Sequence, residues 1–176
     1  RSTLFPYTTL FRSLDKTIGD VLGKSTEMQA RISQLQAKVK DIAKEIPDGQ
    51  TAMYGSSREN TLDVHTQDTF AGSLLAALGF KVPQADGGKD IYDIDLEHVL
   101  AMNPDWMFIA HYREESVVRK WAQQPLWKAL TVTKKDQLIS VDPELWARSR
   151  GLTAAALMVE LIQRSEERRV GKECRS

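Results

Sequence analysis

The sequence predicts an α/β fold: a three-layer lobe with a mostly parallel sheet covered by helices on both faces, preceded by one long helix. Three observations carry this. From Thr51 onward, apolar runs of strand length alternate with helical segments. Gly, Pro, Asn and Asp punctuate most of the boundaries. Ahead of the alternation lies a single amphipathic stripe, too long to belong to one small layer.

That stripe runs from about Asp15 to Glu45. Its apolar residues Ile18, Leu22, Met28, Ile32, Leu35, Val39, Ile42 and Ile46 recur mostly three or four apart, with Lys, Gln and Glu between them. At about 1.5 Å per residue such a helix reaches about 45 Å, and Pro47-Asp48-Gly49 stops it. A coiled coil is the competing reading, although the stripe lacks a sustained heptad. Residues 14–46 are therefore assigned to the helix and 47–163 to the lobe. Within the lobe, Thr51 to Gly55 and Thr61 to Thr66 read as strands, and Thr69 to Leu78 as an apolar helix closed by Gly79. Asp95 to Met102 is a short helix ending before Asn103-Pro104-Asp105. Trp106 to Tyr112 is a buried strand, Glu114 to Gln123 a helix and Leu138 to Val141 another strand. A last helix runs from about Gly151 past Ile162.

The 176 residues carry 24 basic and 24 acidic side chains, with 41% hydrophobic and 27% charged. Those values exclude a disordered chain and give no basic excess for a nucleic-acid partner. The longest apolar runs, Trp106 to Ala110 and Leu152 to Val159, fall short of the roughly 20 residues that span a bilayer. No leader-like segment opens the chain, but both ends look foreign. Thr3 to Ser13 (TLFPYTTLFRS) and Arg164 to Cys174 (RSEERRVGKEC) can be encoded by opposite strands of one DNA stretch, all eleven codons matching. That stretch resembles a sequencing adapter. Residues 1–13 and 164–176 are accordingly expected to be adapter-derived and are set aside, leaving Leu14 to Gln163 as a piece of a longer protein. Seven of the 24 basic and three of the 24 acidic residues lie in the tails, so 17 basic and 21 acidic remain. The single cysteine, Cys174, lies there too, which removes disulfide, zinc-thiolate and cysteine-nucleophile chemistry.

Open α/β sheets bind ligands beyond the carboxyl ends of their strands, and the segments that follow the predicted strands are rich in arginine. They contain Arg58, the run His65-Thr66-Gln67-Asp68-Thr69, His111-Tyr112-Arg113, and Trp146-Ala147-Arg148-Ser149-Arg150. Guanidinium groups arriving from several loops suit an anion bearing several carboxylates. The plainer reading is that Arg58 and Arg113 pair with Glu59, Glu114 or Glu115, and that Trp146 is core. His65 and His111 each follow a strand and could approach one another, yet no loop supplies the further ligands a tight metal site needs. His98 sits in a helix. No Gly-x-Ser-x-Gly elbow and no glycine-rich phosphate loop is present, and Gly87-Gly88 is only a turn signal, so no catalytic residue is assigned.

Three longer segments then carry a resemblance: YGSSRENTLDVHTQDTFAGSLLAALGF, DIDLEHVLAMNPDWMFIAHYREESVVRKWAQQPLWKAL and QLISVDPELWARSRG. Over essentially all of Leu14 to Gln163 the chain resembles the iron-siderophore and vitamin B12 family of solute-binding proteins serving ABC importers. The HTQDT, HYREES and WARSRG stretches narrow the likeness to members that take ferric dicitrate. The resemblance implies the class III periplasmic binding protein fold, two α/β lobes joined by one long helix. Asp15 to Glu45 would be that bridge and the remainder the C-terminal lobe, with the N-terminal lobe and signal peptide missing. It implies a periplasmic, monomeric, non-enzymatic protein that captures ferric dicitrate and delivers it to an inner-membrane permease dimer. The iron would be held by citrate, so the protein would supply no metal ligand and need no cofactor. Arg58, Gln67, Thr69, Arg113, Trp146 and Arg148 would line the cleft, with Tyr112 and Arg150 as second choices. Glu97 would dock on arginines of the permease, unless it merely complements its helix dipole. A binding protein for another siderophore or a metal ion, and an α/β interaction domain dimerising through its long helix, are the alternatives.

Overall fold

The computed structural model describes residue 17 and residues 19–84, 90–91 and 93–173. The opening tail, Ile18 and Gly87-Gly88 lie outside the described residues.

Helix α1, Ser25–Glu45, has 21 residues and a length of about 30 Å. The single helix expected from Asp15 is instead interrupted. Gly23 takes a φ of +66°, its N–H donates to the Asp20 carbonyl at 3.2 Å, and the Lys24 N–H reaches back to the Gly19 carbonyl at 2.7 Å. These two bonds form a Schellman stop, which a glycine without Cβ strain permits. Beyond the stop the stripe works as expected: Ile32, Val39, Ile42 and Ile46 are buried, with Leu35 packed beside them. Val21 and Leu22, before it, are exposed.

Strand β1, Ala52–Ser57, turns through 58–61 into β2, Leu62–His65, as an antiparallel hairpin. This is where the chain departs from a pure βαβ alternation. Helix α2, Phe70–Ala77, starts on a Thr69 cap and stops before Gly79, whose φ is +95°. A two-residue β3, Asp90–Ile91, adds to the edge, followed by α3, Leu96–Met102, and β4, Trp106–His111. The expected helix from Glu114 shrinks to α4, Val117–Trp121, because 112–115 form a bend ahead of Ser116. A 3-10 turn, Pro125–Ala129, and α5, Thr131–Lys134, lead to β5, Leu138–Val141. A wide π-type turn, Glu144–Arg148, precedes α6, Leu152–Glu173.

The sheet order is β3-β2-β1-β4-β5, with β1–β4 and β4–β5 parallel and both pairs of β2 antiparallel. Four strands thus run one way and only β2 opposes them, as a mostly parallel sheet requires. Each face carries its own core. Tyr54, Trp106, Phe108 and Ala110 point to α1, α2 and α6, while Met53, Leu62, Val64, Met107 and Ile109 meet Val99, Val118, Trp127, Leu130 and Val132. Burial on both faces is why Trp106 to Ala110 is an unbroken apolar run.

Helix α6 does not end near Gln163. It continues through Arg164 onward, with Ser165 and Glu166 buried and Arg169 paired to Glu166 at 2.6 Å. Arg164 reaches Glu160 at 3.5 Å and Gln163 reaches Glu167 at 3.2 Å. The Glu- and Arg-rich closing tail, set aside in the sequence reading, therefore extends the helix through pairs three and four residues apart.

Candidate functional site at the carboxyl ends of β1 and β4

Four hydrogen bonds fix the backbone here. The Tyr112 N–H donates to the Ser57 carbonyl at 2.9 Å and the Val117 N–H to the Arg58 carbonyl at 2.8 Å. The Arg58 N–H closes the hairpin turn on the Thr61 carbonyl at 2.9 Å, and the buried Ser57 Oγ accepts the Val118 N–H at 3.2 Å. The end of β1 and the loop after β4 consequently move as one piece.

On this base the Arg58 guanidinium forms an ion pair with Asp63 and lies 5.3 Å above the Tyr112 ring. Its side chain stays 53% exposed, whereas that of Asp63 is only 12% exposed. Arg113 is exposed, and its side chain makes no hydrogen bond or ion pair among the described residues. Neither arginine pairs with Glu59, Glu114 or Glu115. Arg58 instead takes an acid from the neighbouring strand, and Arg113 keeps its full donor fork.

A column of rings links β2, β1, the π-type turn and β4. His65 stacks on Tyr54 with centroids 4.5 Å apart, Trp146 leans on Tyr54 at 5.2 Å, and Phe108 stacks on Trp146 at 5.1 Å. Trp146 is 1% exposed, so the core reading left open for it is the one its burial supports; its indole Nε1 has no hydrogen-bond partner among the described residues. His65 Nε2 meets Ser56 Oγ at 2.7 Å.

The remaining expected residues are more dispersed. Arg148 pairs with Glu144 at 2.9 Å on the exposed side of the π-type turn. Arg150 lies 5.5 Å above the Phe70 ring and donates to the Ser149 carbonyl. The Thr69 hydroxyl is committed to structure: it accepts the Gly72 N–H at 3.1 Å and donates to the Thr66 carbonyl at 2.9 Å. Gln67 is half-buried, and its backbone N–H donates to the Pro83 carbonyl. No hydrogen bond or ion pair joins Gln67, Arg113 or Arg148 to Arg58 among the described residues. Glu97 is exposed in the first turn of α3.

The histidines do not converge. His65 aligns with Tyr54 and His111 with Ser57, three residues along β1 and hence on opposite faces. His111 Nδ1 meets the buried Ser116 Oγ at 2.6 Å. Burial, with a smaller contribution from Arg119, holds its imidazole below the ordinary histidine range, which favours the neutral ring. His98 pairs with Asp95 at 2.7 Å on the surface. Among the described residues no group of three or more His, Cys, Asp or Glu is placed to hold a metal ion.

Sequence reasoning missed Asp63, Ser57 and Ser116. For Asp63 the signal was present: an acid two residues before His65 in a short strand shares its face. For the two buried serines nothing in the local pattern marked them.

A profile of the family described as periplasmic binding protein matches residues 7–145. The Fe(3+) dicitrate-binding periplasmic protein FecB of Escherichia coli K12 is 48% identical over 138 residues, covering 78% of this chain and 46% of that protein. The Fe(3+)-citrate-binding protein YfmC of Bacillus subtilis is 27% identical over 142 residues, covering 79% and 44%. The chain spans about half the length of these curated relatives. Among solved structures, the petrobactin-binding protein YclQ of Bacillus subtilis superposes with a TM-score of 0.79 at 17% identity, covering 92% of this chain and 60% of that one. SirA of Staphylococcus aureus gives 0.74 at 20%, covering 94% and 66%. These two likenesses concern the fold.

Proposed function

The chain belongs to the periplasmic binding protein family, and from that premise we propose that it is the C-terminal lobe and bridging helix of the ferric dicitrate receptor of an ABC importer, working in the periplasm. The observation that carries the cargo assignment is the 48% identity to a protein named for binding Fe(3+) dicitrate. The arrangement at the ends of β1 and β4 supports it chemically. Citrate oxygens already surround the iron in the chelate, so recognition falls to groups that pair with its outer carboxylates. Arg58 offers the part of its fork that Asp63 leaves open, and Arg113 offers all of its own. Arg148, at the end of the π-type turn, and Arg150, just past it, would add further guanidinium groups. Gln67 would add a neutral donor, and Trp146, buried in the core, would support the site rather than line it. Thr69 contributes by holding α2 in place. Nothing in this scheme transforms the cargo; the protein binds, presents and releases it. Glu97, exposed on α3 and in no ion pair among the described residues, is assigned to docking on cationic side chains of the permease.

The test replaces the 138 aligned residues of the E. coli relative with those of this chain and measures radio-iron uptake from ferric dicitrate in cells lacking the native receptor. The hybrid is expected to restore uptake, with Glu97→Lys abolishing uptake but not binding. A folded hybrid that takes up iron from a catecholate chelate and not from citrate would overturn the cargo assignment.

A further inference from the structure

We infer that Asp63 is a positioning residue that holds the Arg58 guanidinium in a binding-ready orientation, so that a negative charge placed inside the anion site strengthens anion binding. The inference deepens the cargo reading above and rests on it for the ligand.

Asp63 faces Ser56 across the hairpin, next to the site. One of its carboxylate oxygens accepts from Arg58 and the other accepts the Asp93 N–H at 3.0 Å. Asp93 has a φ of +51°, and the following Ile94 N–H donates to the Leu62 carbonyl at 2.9 Å. The carboxylate is thus itself anchored, buried, and unable to swing out to solvent. Arg58 is gripped from three sides: by this carboxylate, by the Tyr112 ring at 5.3 Å, and through a backbone whose N–H and C=O are both engaged. An arginine on a surface turn ordinarily loses side-chain entropy when it binds a carboxylate. Here that ordering is already in place, and about half of the side chain still faces solvent. Simple charge counting makes the opposite prediction. Asp63 lowers the positive potential at an anion site, so removing its charge ought to tighten binding.

The two accounts separate in the Asp63→Asn variant of the hybrid receptor, which keeps an oxygen for the Asp93 N–H and loses the charge. Ferric dicitrate affinity is expected to fall roughly tenfold, within the range for hydrogen bonds to charged groups. In the Arg58→Ala background, Asp63→Asn should no longer weaken binding, since Asp63 strengthens it only through Arg58. NMR of the Arg58 guanidinium gives a readout without ligand: slow rotation in the parent chain and in Asp63→Glu, fast rotation in Asp63→Asn. Tighter or unchanged binding in Asp63→Asn, alongside weaker binding in Arg58→Ala, would overturn the inference. So would an Arg58 that rotates as freely in the parent as in Asp63→Asn. If the hybrid receptor ignores ferric dicitrate while Arg58 is restrained by Asp63, the cargo reading falls and the positioning role stands.

Discussion

Arg58 and Arg113 present a guanidinium in two different ways, and substitutions should tell them apart. Truncating either to alanine is expected to weaken ferric dicitrate binding by about 1.5–3 kcal/mol, the range for charged hydrogen bonds. Lysine should replace Arg113 at small cost but fail at Arg58, whose stacking on Tyr112 and pairing with Asp63 need a planar fork; titrations of the four variants check both statements. His111 gives a pH signature. Its folded pKa lies below the unfolded value of about 6.5, so its contribution to stability is present above that pH and is lost as pH falls through it. His111→Gln should therefore lose less melting temperature than the parent between pH 7 and pH 5. Both arginines stood out in the sequence because each follows a predicted strand, where open α/β sheets bind their ligands. Asp63 was not, because its importance comes from hairpin pairing, which puts it opposite Ser56. Trp146 stood among the cleft residues because it follows β5 just ahead of Arg148 and Arg150, and packing against Phe108 and Tyr54 shows its ring to be core.

At the level of elements, α2 is held by two neighbouring residues with different duties. Thr69 caps it, and Thr69→Ala should cost about 0.5–2 kcal/mol while Thr69→Ser costs little. Gly72 permits the turn before it: a Cβ there would stand 2.0 Å from the Thr66 carbonyl oxygen. Gly72→Ala should destabilise by about 1–3 kcal/mol through overpacking against backbone that cannot yield, read from thermal melts of the three variants. Helix existence was legible from periodicity, and the Thr69 and Gly79 ends of α2 from their residue types. The break at Gly23 was not drawn, since an apolar residue on either side kept the stripe running across it. Helix α4 was overextended for a related reason: Glu114 and Glu115 are good helix formers, but 112–115 must bend for Tyr112 to meet Ser57.

Across the whole molecule, two separate cores flank one sheet, and α1 lies beside α6, with Lys38 reaching Glu160 at 3.4 Å. The class of fold was legible because a doubly covered parallel sheet leaves unbroken apolar strands and amphipathic helices in the sequence. The strand order was not, since it depends on partners distant in the chain, and the β1–β2 hairpin was not because Arg58 to Thr61 carries no Asn-Gly or Asp-Gly turn signal. The exposed Val21 and Leu22 lie at the amino-terminal side of α1. The most direct test is a tryptophan-fluorescence titration of the hybrid receptor with ferric dicitrate, beside its Arg58→Ala and Arg113→Ala variants. Saturable binding, weakened at least tenfold by each substitution, is the predicted result. A folded hybrid that binds the chelate with the same affinity whether or not the two arginines are present would contradict the site at the ends of β1 and β4.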